Sequence, residues 1–308
     1  MADANLTRFA ASVGYARDSH VDYPALHRWS LDDPDRFWAH IWEWCGVIGS
    51  RGDAVLDPGT DMQSAQFFPE ARLNFTENLL RQRGAGDAIL AWGEGKDLRR
   101  LSWDDLRHEV TVVAHWLQAR GVKEGDRVAA IMPNVPETII AFLAAAAIGA
   151  VFSSASPDFG ERGIVDRFGQ IAPKVLIAAD GYVYNGKTID IREKVAAVRA
   201  ALPSVETLVV IPYMDLGDVA GAISWHDVRS TGSDDQLAFR RRPFHAPLYT
   251  LFSSGTTGKP KCIVHSAGGA LLQHLKEHRL HCDIKPGDRV FYFTTCGWMR
   301  WTWLVSAL

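Results

Sequence analysis

Residues 126–155 read DRVAAIMPNVPETIIAFLAAAAIGAVFSSA, and their hydrophobic pattern changes twice. Asp126 to Ile131 is an apolar run of strand length, Val135 to Ile148 is long enough for a helix, and Ala150 to Ser153 returns to strand. The most apolar part, Ile139 to Phe152, falls short of the ~20 residues a membrane helix needs and reads as a buried helix leading into a strand. The same order continues downstream, with a helix over Glu161 to Ile171, a strand over Lys174 to Ala178, a helix over Ile191 to Leu202 and a strand over Thr207 to Ile211. Such alternation predicts crossover connections and a mainly parallel sheet, so the fold class is α/β. Residues 213–247 are polar and turn-rich and carry no predicted element. A strand over Pro247 to Phe252 and a terminal helix over Trp301 to Leu308 follow.

Working back from that stretch, Ser102 and Asp105 fit a capping-box variant opening a helix through Trp116 to Ala119, with Gly121 as its stop. A boundary near Gly84-Ala85-Gly86 divides the chain into an aromatic-rich helical lead-in, residues 1–85, and a body, residues 86–308. Within the lead-in, Asp33-Pro34-Asp35 supplies an N-cap, a proline at the first helical position and an acid in the first turn. Phe37, Trp38, Ile41, Trp42, Trp44 and Cys45 then recur on one broad face. Residues 53–68 read as an irregular connection, and Asn74 to Leu80 as a short helix.

Among 308 residues, 47% are hydrophobic and 22% charged, which suits a chain that buries a large core. A net charge of -3 gives no general attraction to nucleic acid or anionic lipid, so any phosphate chemistry requires a local site. Cys45, Cys262, Cys282 and Cys296 form no CxxC pair and match neither a zinc site nor a disulfide framework; reduced thiols in a cytoplasmic protein are expected. The N-terminus lacks the basic and apolar blocks of a secretory signal.

The most informative loop follows the strand that begins at Pro247: Ser253-Ser254-Gly255-Thr256-Thr257-Gly258-Lys259-Pro260-Lys261. Glycines let backbone N–H groups converge on an anion, hydroxyls add donors, and Lys259 adds a mobile positive charge. A structural turn would not need so many donors and so little packing surface. The Walker loop fails here, because Gly255 and Gly258 are three apart and Pro260 stands where that loop needs Ser or Thr. A second short motif, His274-Leu-Lys-Glu277-His278 with His281 nearby, fits the HxxEH zinc-protease spacing. A solvated helical face explains those residues equally well, and no metal site is expected.

The loop SSGTTGKPK resembles the signature of the adenylate-forming enzymes, which include acyl-CoA synthetases, luciferases and peptide-synthetase adenylation domains. Further segments resemble the acetoacetyl-CoA synthetase group of that family: Phe68 to Leu80, Ser156 to Gly160, Asp166 to Val175, and His265 to Trp298. Together they span Tyr23 to Leu308. The resemblance implies an acid-thiol ligase in which a carboxylate, here acetoacetate, attacks the α-phosphorus of ATP, pyrophosphate leaves, and coenzyme A captures the acyl-adenylate. ATP, Mg²⁺ and coenzyme A are the implied small molecules. Ser253, Ser254, Gly255, Thr256, Thr257, Gly258 and Lys259 would hold the β- and γ-phosphates, with Lys259 and Thr257 acting in catalysis. Trp298, Met299 and Arg300 match the place where relatives shape the acyl pocket, although Arg300 stands where an apolar residue is usual. Lys187, Tyr184 and Asp158 match positions that meet coenzyme A.

Relatives continue with an adenine motif, a ribose-binding aspartate, a hinge and a C-terminal domain with a catalytic lysine. None lies before Leu308, so a fragment or split gene product is expected, with the remaining half as a partner. The alternatives are a truncated non-catalytic nucleotide-binding paralogue and an acetyl- or propionyl-CoA synthetase.

Overall fold

The computed structural model describes residues 3–18, 20–253 and 258–308. Its body opens with a hairpin, β1 (Asp87–Gly93) and β2 (Lys96–Ser102), leading into α1 (Trp103–Ala119). The alternating run becomes β3 (Arg127–Ile131), α2 (Pro136–Ala147), β4 (Val151–Ala155), α3 (Glu161–Phe168), β5 (Val175–Ala179), α4 (Arg192–Ala201) and β6 (Thr207–Ile211). There follow β7 (Ile223–Ser224), α5 (Trp225–Thr231), β8 (Pro247–Ser253), β9 (Lys261–Ser266), α6 (Ala267–Lys276) and α7 (Met299–Val305).

One seven-stranded sheet has the order β7-β6-β5-β3-β4-β8-β9, parallel throughout except for the antiparallel β8–β9 pair. Alternate residues of each strand feed opposite faces. Val128 and Ala130 join the core shared with α1 and α2, whereas Ala129 and Ile131 join that shared with α3 and α4. The connection after β3 therefore runs over one face and the connection after β4 over the other. That reversal makes the carboxyl ends of β3 and β4 a topological switch point, where open α/β sheets take their ligands.

Local chemistry explains the helix ends. At α1, the Ser102 hydroxyl accepts from the Asp105 N–H at 3.0 Å, and the Asp105 carboxylate accepts from the Ser102 N–H at 3.1 Å. Gly121 then takes φ +75°, a left-handed conformation suited to glycine. The last carbonyls of α2 receive a further donor from far upstream: Asn74 Nδ2 donates to the oxygens of Ala146 and Ala147, both at 3.0 Å, which also accept from the Gly149 and Arg240 N–H groups.

Two expectations change. α3 ends at Phe168 rather than Ile171, because Ala172 adopts φ +46° immediately before Pro173, and a residue preceding proline is pushed out of the helical region. The polar stretch 213–247 contains β7 and α5, the latter opened by the Ser224 hydroxyl accepting from the Asp227 N–H at 3.1 Å. The S-x-x-D pattern there was readable as a cap. It was obscured by the turn-rich composition around it.

The lead-in helices Asn5–Ser12, Tyr23–Asp32 and Pro34–Trp44 pack through aromatic edges. Asp33 caps the third, accepting from the Arg36 N–H at 3.2 Å. Trp42 meets Phe68, and Phe68 meets Phe244, each at 5.1 Å between ring centres. The lead-in thus shares one continuous core with the α1/α2 face of the sheet. Among the described residues, no helix is long and apolar enough to cross a membrane.

Candidate functional site

The candidate phosphate loop follows β8, which pairs with β4. Ser253 ends β8 and pairs with Lys261, the first residue of β9. Ser254, Gly255, Thr256 and Thr257 lie outside the described residues. The chain resumes at Gly258 with φ +91°, a conformation that disfavours any residue bearing a Cβ. Lys259 follows with its side chain 74% exposed and its ammonium 4.0 Å from Asp166 Oδ1. Beyond it, the Pro260 carbonyl accepts from Gln170 Nε2 at 2.8 Å. Asp166 and Gln170 belong to the end of α3 and the turn after it, some ninety residues away in the chain. Their segment was part of the family resemblance, yet nothing in its local pattern predicted a contact with the loop.

The second candidate segment lies against the carboxyl ends of β3 and β4. Ser154, on β4, donates its hydroxyl to the Cys296 carbonyl at 2.6 Å. Gly297 lies so close to the end of β4 that an added Cβ would come within 3.4 Å of the Ser156 nitrogen. Trp301 Nε1 donates to Asn134 Oδ1, just past β3, at 2.8 Å. The Cys296–Trp301 segment is therefore tied to both strands that form the switch point. Trp301 itself is fully buried against Phe142 and Phe152. Trp298 and Met299 remain 55% and 54% exposed at the head of α7. The Arg300 guanidinium lies over the Tyr292 ring at 5.4 Å. Burial pushes the Cys296 thiol well above its ordinary range, so it acts as a packing group rather than a nucleophile.

The histidines of the HxxEH motif hold the other end of α7. His274 and His278 are buried, which corrects the solvated-face expectation. Ser306 Oγ lies 2.7 Å from His274 Nδ1, and His278 Nε2 lies 2.9 Å from the Trp303 carbonyl. Trp303 Nε1 donates to Glu277 Oε2 at 2.8 Å, and its ring packs on His278 at 4.3 Å. A carbonyl can only accept, so His278 Nε2 carries the proton; Nδ1 is then bare, buried and without a hydrogen-bond partner among the described residues. Burial, with smaller contributions from the neighbouring His278 and His265, holds the His274 pKa down to about 3. Leu271, His274 and His278 share one helical stripe, a spacing from which burial could have been inferred.

Tyr184 and Lys187 face one another at the tip of the Gly181–Tyr184/Lys187–Asp190 hairpin. Asn185 and Gly186, with φ +51° and +73°, form the tight turn between them. Asp158 is exposed on the loop after β4, which Lys194 of α4 secures by donating to the Pro157 and Phe159 carbonyls at 2.8 and 3.1 Å. Burial, aided by the Asp158 charge, pushes the Tyr182 hydroxyl up. Asp158 is thus brought beside the hairpin that carries Tyr184 and Lys187. A separate cleft of about 250 Å³ opens past Asn134, lined by Lys96, Arg99, Glu137 and Tyr213 among others. Its two cations are already engaged, Arg99 with Glu137 at 2.6 Å and Lys96 with the Tyr213 carbonyl at 3.0 Å.

The fold is a mainly parallel α/β sheet with both candidate segments at its carboxyl edge. Residues 77–307 match the family described as AMP-binding enzyme, and residues 23–79 match the acetyl-coenzyme A synthetase N-terminus. The chain belongs to the AMP-binding enzyme family. It is 54% identical to the acetoacetyl-coenzyme A synthetase of Rhizobium meliloti (strain 1021), over 94% of this chain and 45% of that protein. It is 42% identical to the acetoacetyl-CoA synthetase of Macaca fascicularis, over 99% of this chain and 48% of the relative. The solved acetoacetyl-CoA synthetase from Streptomyces lividans superposes with a TM-score of 0.93 at 42% identity, covering 99% of this chain and 48% of that one. The chain spans about half the length of the curated relatives it matches.

Proposed function

We propose that this chain supplies the phosphate loop and acyl pocket of an acetoacetate–CoA ligase. The observation that carries this reading is the convergence of the Ser253–Lys261 segment and the Cys296–Arg300 segment on one edge of the sheet, on either side of the β4 end. The similarity to acetoacetyl-CoA synthetases across 94% or more of the chain supports acetoacetate as the acid. On this reading, residues 1–85 buttress α2 and the body formed by 86–308.

The residues fit the chemistry. An exposed ammonium beside a left-handed glycine is open to an arriving triphosphate, and Ser253 to Lys259 would cradle the β- and γ-phosphates. Mg²⁺, bound through those phosphates, would share their charge. The transfer needs no enzyme nucleophile, so orientation and charge neutralisation by the loop would supply most of the acceleration. Trp298 and Met299 would bound the acyl group, Arg300 would reach a substrate oxygen, and Asp158, Tyr184 and Lys187 would meet coenzyme A. A cytoplasmic site of action goes with the ATP and coenzyme A pools that the reaction needs.

A second reading, nucleotide binding without turnover, is favoured by Arg300 standing at a usually apolar position. Pyrophosphate exchange into ATP by the purified chain, with acetoacetate, acetate, propionate or no acid, separates the two. Exchange dependent on acetoacetate is the expected result. Exchange with acetate or propionate alone would change the substrate, and ATP binding without exchange would establish the second reading.

A further inference from the structure

We propose that Gln170 is a positioning residue that clamps the exit of the phosphate loop; this deepens, and rests on, the nucleotide reading of Ser253 to Lys259. The Gln170 carboxamide has two N–H groups, and Nε2 lies 2.7 Å from the Asp166 carbonyl of its own helix and 2.8 Å from the Pro260 carbonyl. Its oxygen faces the Cys262 thiol at 3.6 Å. Every polar atom of the side chain is thereby committed, and two of the three contacts reach the strand that leaves the loop.

Pro260 has no N–H, so its carbonyl is the backbone group by which this residue can be held. It stands one residue before the Ser253–Lys261 rung that closes the β8–β9 ladder, and one residue after Lys259. Gripping it anchors the chain on the C-terminal side of Lys259. The ammonium at the far end of that side chain stays free to move. It sits 4.0 Å from Asp166, whose carboxylate also faces Arg162 at 3.8 Å. Asp166 and Gln170 therefore act on different parts of the same segment, the carboxylate holding the exposed cation loosely and the carboxamide holding the backbone. An arriving triphosphate can take the ammonium from Asp166 without disturbing the ladder.

A carboxamide suits this position because the group it meets is a carbonyl. A glutamate would set a carboxylate against that oxygen, an alanine would leave it unheld, and a lysine could still donate to both carbonyls. The test is hydrogen exchange at Gly258, Lys259, Lys261 and Cys262 in the purified chain, with and without Mg·ATP, alongside thermal melting. Gln170→Ala and Gln170→Glu are expected to speed exchange at those amides about tenfold, equivalent to about 1.4 kcal/mol. The β3 to β6 amides and the melting midpoint stay unchanged. Gln170→Lys is expected to return the rate to within about threefold of the original. In the presence of Mg·ATP, the alanine variant is expected to bind about tenfold more weakly and the lysine variant to recover. Unchanged exchange in Gln170→Ala overturns the proposal, as does a uniform increase across the sheet, which would mark a general folding role. Local loosening in a chain that binds no ATP would uphold the clamp and overturn the nucleotide reading instead.

Discussion

Acidification should weaken this fold in a pH range where its carboxylates are still silent. His274 is buried and bound to Ser306, with its pKa held down to about 3 by burial first and by His278 and His265 after it. In the unfolded chain a histidine titrates at about 6.5. A depressed histidine pKa means that the unfolded state binds more protons between the two values, so stability is full above the unfolded pKa and is lost as pH falls below it. Going from about pH 7.5 to about pH 5, the unfolded chain gains nearly one proton here and the folded chain almost none, a loss of about 2 kcal/mol. His278, whose pKa is lowered chiefly by burial, and His265, lowered by burial, add in the same direction. Carboxylates with lowered pKa, such as Asp105 held by Ser102, begin to cost stability only below their unfolded range, so they leave this window clear. The assay is urea unfolding followed by circular dichroism across that range, on the original chain and on His274→Gln, which keeps a hydrogen-bonding group toward Ser306 but cannot titrate. The variant should lose about 2 kcal/mol less than the original over the same interval. Parallel losses in the two proteins would refute the reasoning. So would an NMR titration of His274 near its ordinary value.

Three other outcomes follow from particular contacts. Asn74→Ala takes one donor from each of the Ala146, Ala147 and Arg240 carbonyls, the first two keeping the Gly149 and Arg240 N–H groups, and removes the cap on the Glu77 N–H, so a loss of about 1–3 kcal/mol in urea unfolding is expected. Trp301→Ala empties a fully buried site and orphans Asn134; about 3–5 kcal/mol should be lost, and Trp301→Phe should recover most of the packing but not the bond. Lys259→Ala should slow acetoacetate-dependent pyrophosphate exchange by roughly 10²-fold or more, with little change in stability at so exposed a side chain. An unchanged exchange rate would remove Lys259 from the mechanism.

The candidate loop was legible because it is a continuous stretch of residues. The composition of Ser253 to Lys261 points to an anion whatever surrounds it, and the structure adds the left-handed Gly258 and the exposure of Lys259. His274 and His278 were misjudged for a different reason. Their spacing fits a metal site, a wet face and a buried stripe alike, and the choice depends on whether another element covers them. α7 covers them, and the HxxEH pair becomes its anchor. Gln170 and Asn134 carried no local signal, since a lone amide in a turn is ordinary until its partner is known.

The sequence by itself determined most of the succession of helices and strands outside residues 213–247, the caps at Ser102 and Asp33, and the anion-suited composition of the candidate loop. These depend on periodicity and on bonds between residues a few positions apart, where chain connectivity already supplies proximity. Only the tertiary structure decided the strand order, the switch point at the ends of β3 and β4, and the capping of α2 by Asn74. It also decided the grip of Gln170 on Pro260 and the seating of α7 on the two histidines. Each of those joins groups far apart in the chain, so its formation depends on burying the shared core, which offsets the entropy lost in bringing them together.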